Sequence, residues 1–324
     1  MKTVLKAAAL CCGLFLSAAG AKEILPESGP IGDTARRLLV LDAANLGNRI
    51  VAVGDRGYVI YSEDQGASWS RAKAPAAPLL TALYFVDAKN GWAVGHDTVI
   101  LATTDAGATW TQQFSAAAEQ RPLMDVLFLD AQNGIAVGAY GAYYETADGG
   151  KAWNVRKVLE DDKHLNAIVK LADGKLVILG EAGTILTSGD SGKTWTAVQS
   201  PYNGSLFGGV VADDGAIVGF GLRGRIYRSS DAGKTWKQVD NASHATLMGG
   251  ARLGDGTLVL AGAAGALLVS RDNGQSFQPA DSGGTRALAG VVLGAPNQVL
   301  VLGEGGARGV TLPLATRAGK GSGK

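Results

Sequence analysis

The most regularly placed carboxylates in this 324-residue chain are Asp64, Asp105, Asp148, Asp190, Asp231 and Asp272. Each lies inside a copy of one pattern, S/T-x-D-x-G-x-S/T-W, as in Ser229-Ser230-Asp231-Ala232-Gly233-Lys234-Thr235-Trp236, with Ala152 and Phe277 as the two departures. Such distinctive residues suggest a reactive site, but their spacing argues against one. The aspartates are separated by 41, 43, 42, 41 and 41 residues, a ruler rather than a constellation. A carboxylate followed by glycine and a hydroxyl suits a turn between strands: it accepts bonds from nearby backbone N–H groups while glycine allows positive φ. The tryptophan that follows buries a large apolar face. All six aspartates and Trp69, Trp110, Trp153, Trp195 and Trp236 are therefore assigned to scaffolding.

A period of 40 to 50 residues built from short strands is the mark of a propeller blade. A second register, Leu38, Leu80, Leu123, Leu165, Leu206, Leu247 and Leu288, opens seven short apolar segments at steps of 41 to 43 residues. Each repeat then runs through a second strand ending in glycine (Gly54, Gly95, Gly138, Gly180, Gly221, Gly262, Gly303), which suits a tight hairpin. A third strand leads into the Asp motif, and a fourth starts at the tryptophan. The expectation is an all-β, seven-bladed β-propeller of four-stranded antiparallel blades. The seventh repeat lacks its aspartate near position 313, and its third strand is placed from Gly309 to Leu314. Glu23-Ile24-Leu25 is the candidate fourth strand, closing the ring and covering the open edge.

Lys2 and Lys6 precede the apolar run Ala7–Leu16, with small residues at Ala19-Gly20-Ala21. Residues 1–21 read as a cleaved signal peptide, residues 22–315 as one propeller and residues 316–324 as a disordered basic tail. The expected location is the periplasm, with a secreted or luminal one as the variant. Both cysteines, Cys11 and Cys12, leave with the signal, so the mature chain has no disulfide or cysteine metal site. The net charge of +1 becomes −1 without Lys2 and Lys6. That balance gives no reason to expect nucleic-acid or general membrane binding.

Propeller topology places the Asp motifs on one face, and the two-to-three turns and blade connections on the other. On that second face, Arg36, Arg121, Lys163 and Arg286 stand two residues ahead of opening leucines, and Arg56 and Arg223 sit in two-to-three turns. These six form the expected partner-binding surface, since arginine forks pair well with carboxylates. The alternative is solvated loop charge neutralised by Asp55, Asp161, Asp162 and Glu304. His96, His164 and His244 are scattered loop residues; no metal, cofactor or catalytic residue is assigned.

The repeated motif resembles the Asp box of the bacterial neuraminidase repeat. The longer pattern, Leu83-Tyr84-Phe85-Val86-Asp87 with Asn90-Gly91-Trp92-Ala93-Val94-Gly95 before the Asp box, is similar to the photosystem II stability/assembly factor family from Arg36 to about Leu314. That resemblance implies an exported seven-bladed propeller, here a monomer, that helps assemble membrane protein complexes through an arginine-rich patch. Arg56, Arg121, Arg223 and Arg286 are its counterparts by position. Two alternatives are an accessory partner of an envelope (RND-type) transporter and a sialidase-like glycoside hydrolase. The hydrolase would need a Tyr-Glu nucleophile pair, and strand alternation sends the neighbours Tyr144 and Glu145 to opposite faces.

Overall fold

The computed structural model describes residues 28–75, 77–295 and 298–312. They form seven antiparallel sheets arranged as the blades of a β-propeller, and in blades 1 to 6 a short 3-10 turn joins the second strand to the third. Blades 2 to 6 have four strands in simple order, blade 1 gains a fifth, and blade 7 has three. The signal segment 1–21, the candidate closing strand Glu23-Ile24-Leu25 and the tail 316–324 lie outside the described residues.

The first strands are Val40–Asn45, Leu80–Phe85, Leu123–Phe128, Leu165–Lys170, Leu206–Val211, Leu247–Arg252 and Leu288–Leu293. In blade 1 the opening position is thus Val40 and not Leu38. The pairing Val40↔Gly54 matches Leu80↔Gly95 in blade 2, and Asp55 N donates to Leu39 O as His96 N does to Leu79 O. Leu38 misled because it is apolar and buried too, but its burial comes from the seam between blades 7 and 1. The third strand of blade 7 is also displaced from its expected place, running over Gly306–Thr311.

Every first strand carries a register shift just after its opening residue. This bulge, which adds local twist, turns the innermost strands around a central channel. The glycine closing each second strand serves a different purpose from the hairpin role expected of it. At Gly54 and Gly95 the backbone is extended, with φ of 179° and −176°. A Cβ at Gly95 would come within 2.1 Å of Leu79 O, and one at Gly138 within 2.1 Å of Pro122 O. Glycine is required there because the incoming first strand lies against it.

The core is divided among seven seams between neighbouring blades. Each Asp-box aromatic fills the seam with the preceding blade: Trp110 of blade 2 packs with Val51, Val53 and Val59 of blade 1, and Trp69 of blade 1 with Val292, Leu300 and Leu302 of blade 7. Blade 7 has no Asp box, and Val310 and Leu312 fill its seam with blade 6 instead.

Candidate docking face

The Asp boxes settle into the turns their chemistry suggests. Asp64 Oδ1 accepts from Ser68 N at 2.8 Å and Asp64 Oδ2 from Ser68 Oγ at 2.6 Å, while Ser62 Oγ donates to Asp64 Oδ1 and accepts from Gly66 N. The Ser68 hydroxyl bond, with the backbone bond beside it, holds the Asp64 carboxyl down at about 2; the Thr194 hydroxyl does the same for Asp190. In blade 3 Ala152 supplies only its N–H, at 3.0 Å from Asp148 Oδ1. In the other five boxes both carboxylate oxygens are engaged within the turn.

Antiparallel order then fixes the opposite face. Turns between second and third strands lie at the same end of a blade as the connection to the next blade, and the hydrogen bonds join them in pairs. Thr98 Oγ1 donates to Arg121 O at 2.9 Å, Gly141 N to Lys163 O at 2.9 Å and Gly183 N to Gly204 O at 3.0 Å. At the ring closure the segment Gly32–Arg37 takes the part of the connection: a Cβ on Gly306 would meet Ala35 O at 2.1 Å. One circle of turns and connections results.

The second residue of each complete turn is left-handed and, in all six cases, not glycine: Arg56, Asp97, Tyr140, Ala182, Arg223 and Ala264, with φ between 49° and 59°. A Cβ in this conformation costs roughly 1–2 kcal/mol; the bond from Tyr58 N to Asp55 O and its counterparts offset part of it. The conformation lifts the residue to the tip of the turn. Arg56 retains 80% side-chain exposure, and Arg223 and Tyr140 are exposed as well.

All six predicted basic residues fall on this circle. Arg56 and Arg223 cap turns, Arg121, Lys163 and Arg286 lie in connections, and Arg36 lies in Gly32–Arg37, four residues ahead of Val40 rather than two ahead of the strand opening. They are spread around the ring; Arg36 and Arg286 line one shared cavity. Local carboxylates neutralise two of them, with Arg56 Nε 3.7 Å from Asp55 and Lys163 Nζ 3.1 Å from Asp161. Arg36, Arg121, Arg223 and Arg286 form no ion pair among the described residues.

Three features escaped the sequence reading. Tyr140, 52% exposed, stands edge-on to His164 with ring centroids 5.0 Å apart, beside Lys163. Arg308, inside the third strand of blade 7, lines the same cavity as Arg36 and Arg286. Asp42 and Asp125 occupy the same position, two past the opening residue of blades 1 and 3, and line the channel. Each ties its blade to the next: Asp42 Oδ2 accepts from Leu83 N at 2.9 Å, and Asp125 Oδ2 from Ile168 N at 2.8 Å. Burial raises Asp42 to about 6, and burial with the Asp42 charge raises Asp125 to about 7, against the lowering effect of those N–H bonds. Both keep partial exposure to the channel, so desolvation is weaker than in a sealed core.

Tyr144 and Glu145 diverge as strand alternation requires. Tyr144 Oη donates to Glu119 Oε2 at 2.7 Å, whereas Glu145 pairs with Arg156 at 3.0 Å.

Residues 113–260 match the family described as Photosynthesis system II assembly factor YCF48. No curated protein matches the chain at a significant level. Among solved structures, YCF48 bound to D1 peptide superposes with a TM-score of 0.69 at 22% identity, covering 89% of this chain and 96% of that one. YCF48 from Cyanidioschyzon merolae gives 0.66 at 17% identity, covering 86% and 97%. The GH74 enzyme of Niastella koreensis gives 0.69 at 16% identity, covering 89% of this chain and 54% of that one. At these identities the structural likenesses speak for the propeller fold, which enzymes and assembly factors share.

Proposed function

For a seven-bladed β-propeller whose residues 113–260 match the photosystem II assembly factor family, we propose the role of a non-catalytic factor that assists assembly or stability of a membrane protein complex by docking through its basic face. The observation that carries this reading is the circle of turns and connections, where Arg36, Arg121, Arg223 and Arg286 stand without carboxylate partners among the described residues of a nearly neutral protein. Guanidinium groups held this way recognise carboxylates in bidentate fashion. The exposed Tyr140 beside Lys163 adds an aromatic contact of the kind enriched at interfaces. A similar propeller, YCF48, has been seen bound to a D1 peptide, which supports a partner engaged through a peptide segment.

Export of the mature chain to the periplasm belongs to the same proposal, as does its action as a monomer. N-terminal sequencing of the protein recovered from the native envelope would test the first, with residue 22 expected at the start.

The docking function is tested by capture of partners from native membranes with the charge-reversed variant Arg56→Glu/Arg121→Glu/Arg223→Glu. All three residues are on the surface circle, so the unfolding midpoint should hold while capture is lost. Capture at the wild-type level by a folded variant would overturn the basic-face reading.

A further inference from the structure

Six blades end in a fourth strand of two to four residues: Ser70–Arg71, Thr111–Phe114, Asn154–Val155, Thr196–Ala197, Lys237–Val239 and Gln278–Pro279. Among the described residues, blade 7 stops at its third strand, Gly306–Thr311. The seam between blades 1 and 2 shows how the missing place is built. Lys73, just past the fourth strand of blade 1, donates its N–H to Ala108 O at 3.0 Å and accepts from Trp110 N at 2.8 Å. A fourth strand therefore runs between its own third strand and the Asp box of the next blade.

The equivalent place in blade 7 is a cavity of about 840 Å³. Ala307, Arg308 and Gly309 of the third strand line one side, and Gly66, Ser68 and Trp69 of the blade 1 Asp box line the other. Apart from the bond from Gly306 N to Leu38 O, no backbone hydrogen bond reaches the outer edge of this strand among the described residues. Proteins ordinarily blunt or cover such an edge. The nearest described part of the N-terminal segment is spent elsewhere: Gly29–Pro30 pairs with Ser70–Arg71, and Ile31 N donates to Trp69 O at 3.1 Å.

The charge around the slot is one-sided. Arg36, Arg286 and Arg308 line it, with Asp33 as the only acidic lining residue among the described residues. None of the three arginines has a carboxylate partner among the described residues. Arg308 Nη1 donates to Ser282 O, which steadies the guanidinium and leaves its other N–H groups for a ligand.

We propose that this slot receives an extended acidic segment of a partner protein, which adds to blade 7 as its fourth strand. Main-chain bonds to the free edge supply affinity, and carboxylates on Arg36, Arg286 and Arg308 supply selectivity. At about 3.3 Å per residue, a segment of two to four residues fits the span that the other fourth strands fill. The inference rests on the docking function for the class of partner, and it names a seat at the ring closure, where Arg36 and Arg286 of the circle meet Arg308.

The test uses the mature chain, residues 22–324, with a short capped peptide of alternating glutamate and valine. Affinity is read by fluorescence anisotropy and location by amide hydrogen exchange. Protection is expected at residues 307–311. Affinity should fall by about tenfold or more with Arg308→Glu, with glutamine in place of the peptide's glutamates, and with N-methylation of alternate peptide amides. Arg286→Glu serves the same purpose should Arg308→Glu fail to fold. Protection confined to other blades, or affinity indifferent to both arginine reversal and N-methylation, overturns the proposal. So does binding that appears only after residues 22–27 are deleted, which would make the chain's own N-terminal segment the occupant. Persistence of peptide binding in Arg56→Glu/Arg121→Glu/Arg223→Glu supports a seat at the ring closure that does not need those three positions; its loss there, in a folded protein, overturns it.

Discussion

Asp42 and Asp125 share one position in two blades, and each carboxylate bridges to a backbone N–H of the following blade. Facing the channel raises Asp42 to about 6 and Asp125 to about 7, from 3.8 for the free side chain, with desolvation as the leading cause. A carboxyl whose folded value is raised binds more protons folded than unfolded, so its contribution to stability falls as pH rises from about 4 to about 7 and levels off above. The Asp boxes work in the other direction: Asp64 and Asp190, held down at about 2, support the fold above pH 4 and lose that support as pH falls toward 2. Asp125→Asn should therefore gain on the wild type between pH 4 and pH 8. Urea unfolding at several pH values would check this; a wild-type-minus-variant difference that does not change with pH would remove desolvation as the cause.

At the scale of the element, the Asp box joins a hairpin to a seam. Its polar half closes the turn, and its tryptophan is delivered into the contact with the preceding blade. Trp110 is 4% exposed, meets Phe85 edge-on with ring centroids 6.1 Å apart, and donates Nε1 to Gly107 O at 3.0 Å. Removing a buried aromatic of this kind costs about 3–5 kcal/mol. Trp110→Ala is expected to lower stability by that amount in urea unfolding; a loss below about 1 kcal/mol would show that the seam repacks around the gap. The repeat made this element readable from sequence, since six near-identical turns report the same local physics. The glycine ending each second strand was read for the right position and the wrong reason. At Gly54 and Gly95 the backbone is extended, and only the arrival of the first strand against it shows why a side chain is excluded.

On the scale of the whole molecule, the ring is closed by different means from its other joints. Gly32–Arg37 replaces a blade connection, the pair Leu39↔Glu304 and the bond from Gly306 N to Leu38 O join first blade to last, and Ala35 and Leu38 enter the seam core. Gly29–Pro30 adds a fifth strand to blade 1. Deleting residues 22–31 should lower the melting temperature, because it removes that strand and the bond from Ile31 N to Trp69 O while leaving every complete blade. An unchanged melting temperature would mean that the segment from Gly32 onward closes the ring unaided.

The sequence by itself determined the period, the seven blades, the scaffolding part of the six aspartates and the side of the ring that carries the arginines. These follow from local chemistry repeated at fixed spacing, and from strand alternation, which needs no knowledge of neighbours. Only the tertiary structure decided where repetition breaks down. Blade 1 opens at Val40, since Leu38 owes its burial to a blade almost a whole chain away. Arg36, Arg286 and Arg308 are far apart in sequence, and closure of the circle brings them to one slot. Asp42 and Asp125 become a channel pair because seven inner strands converge on one axis. Long-range closure places these groups, and no window of sequence contains it.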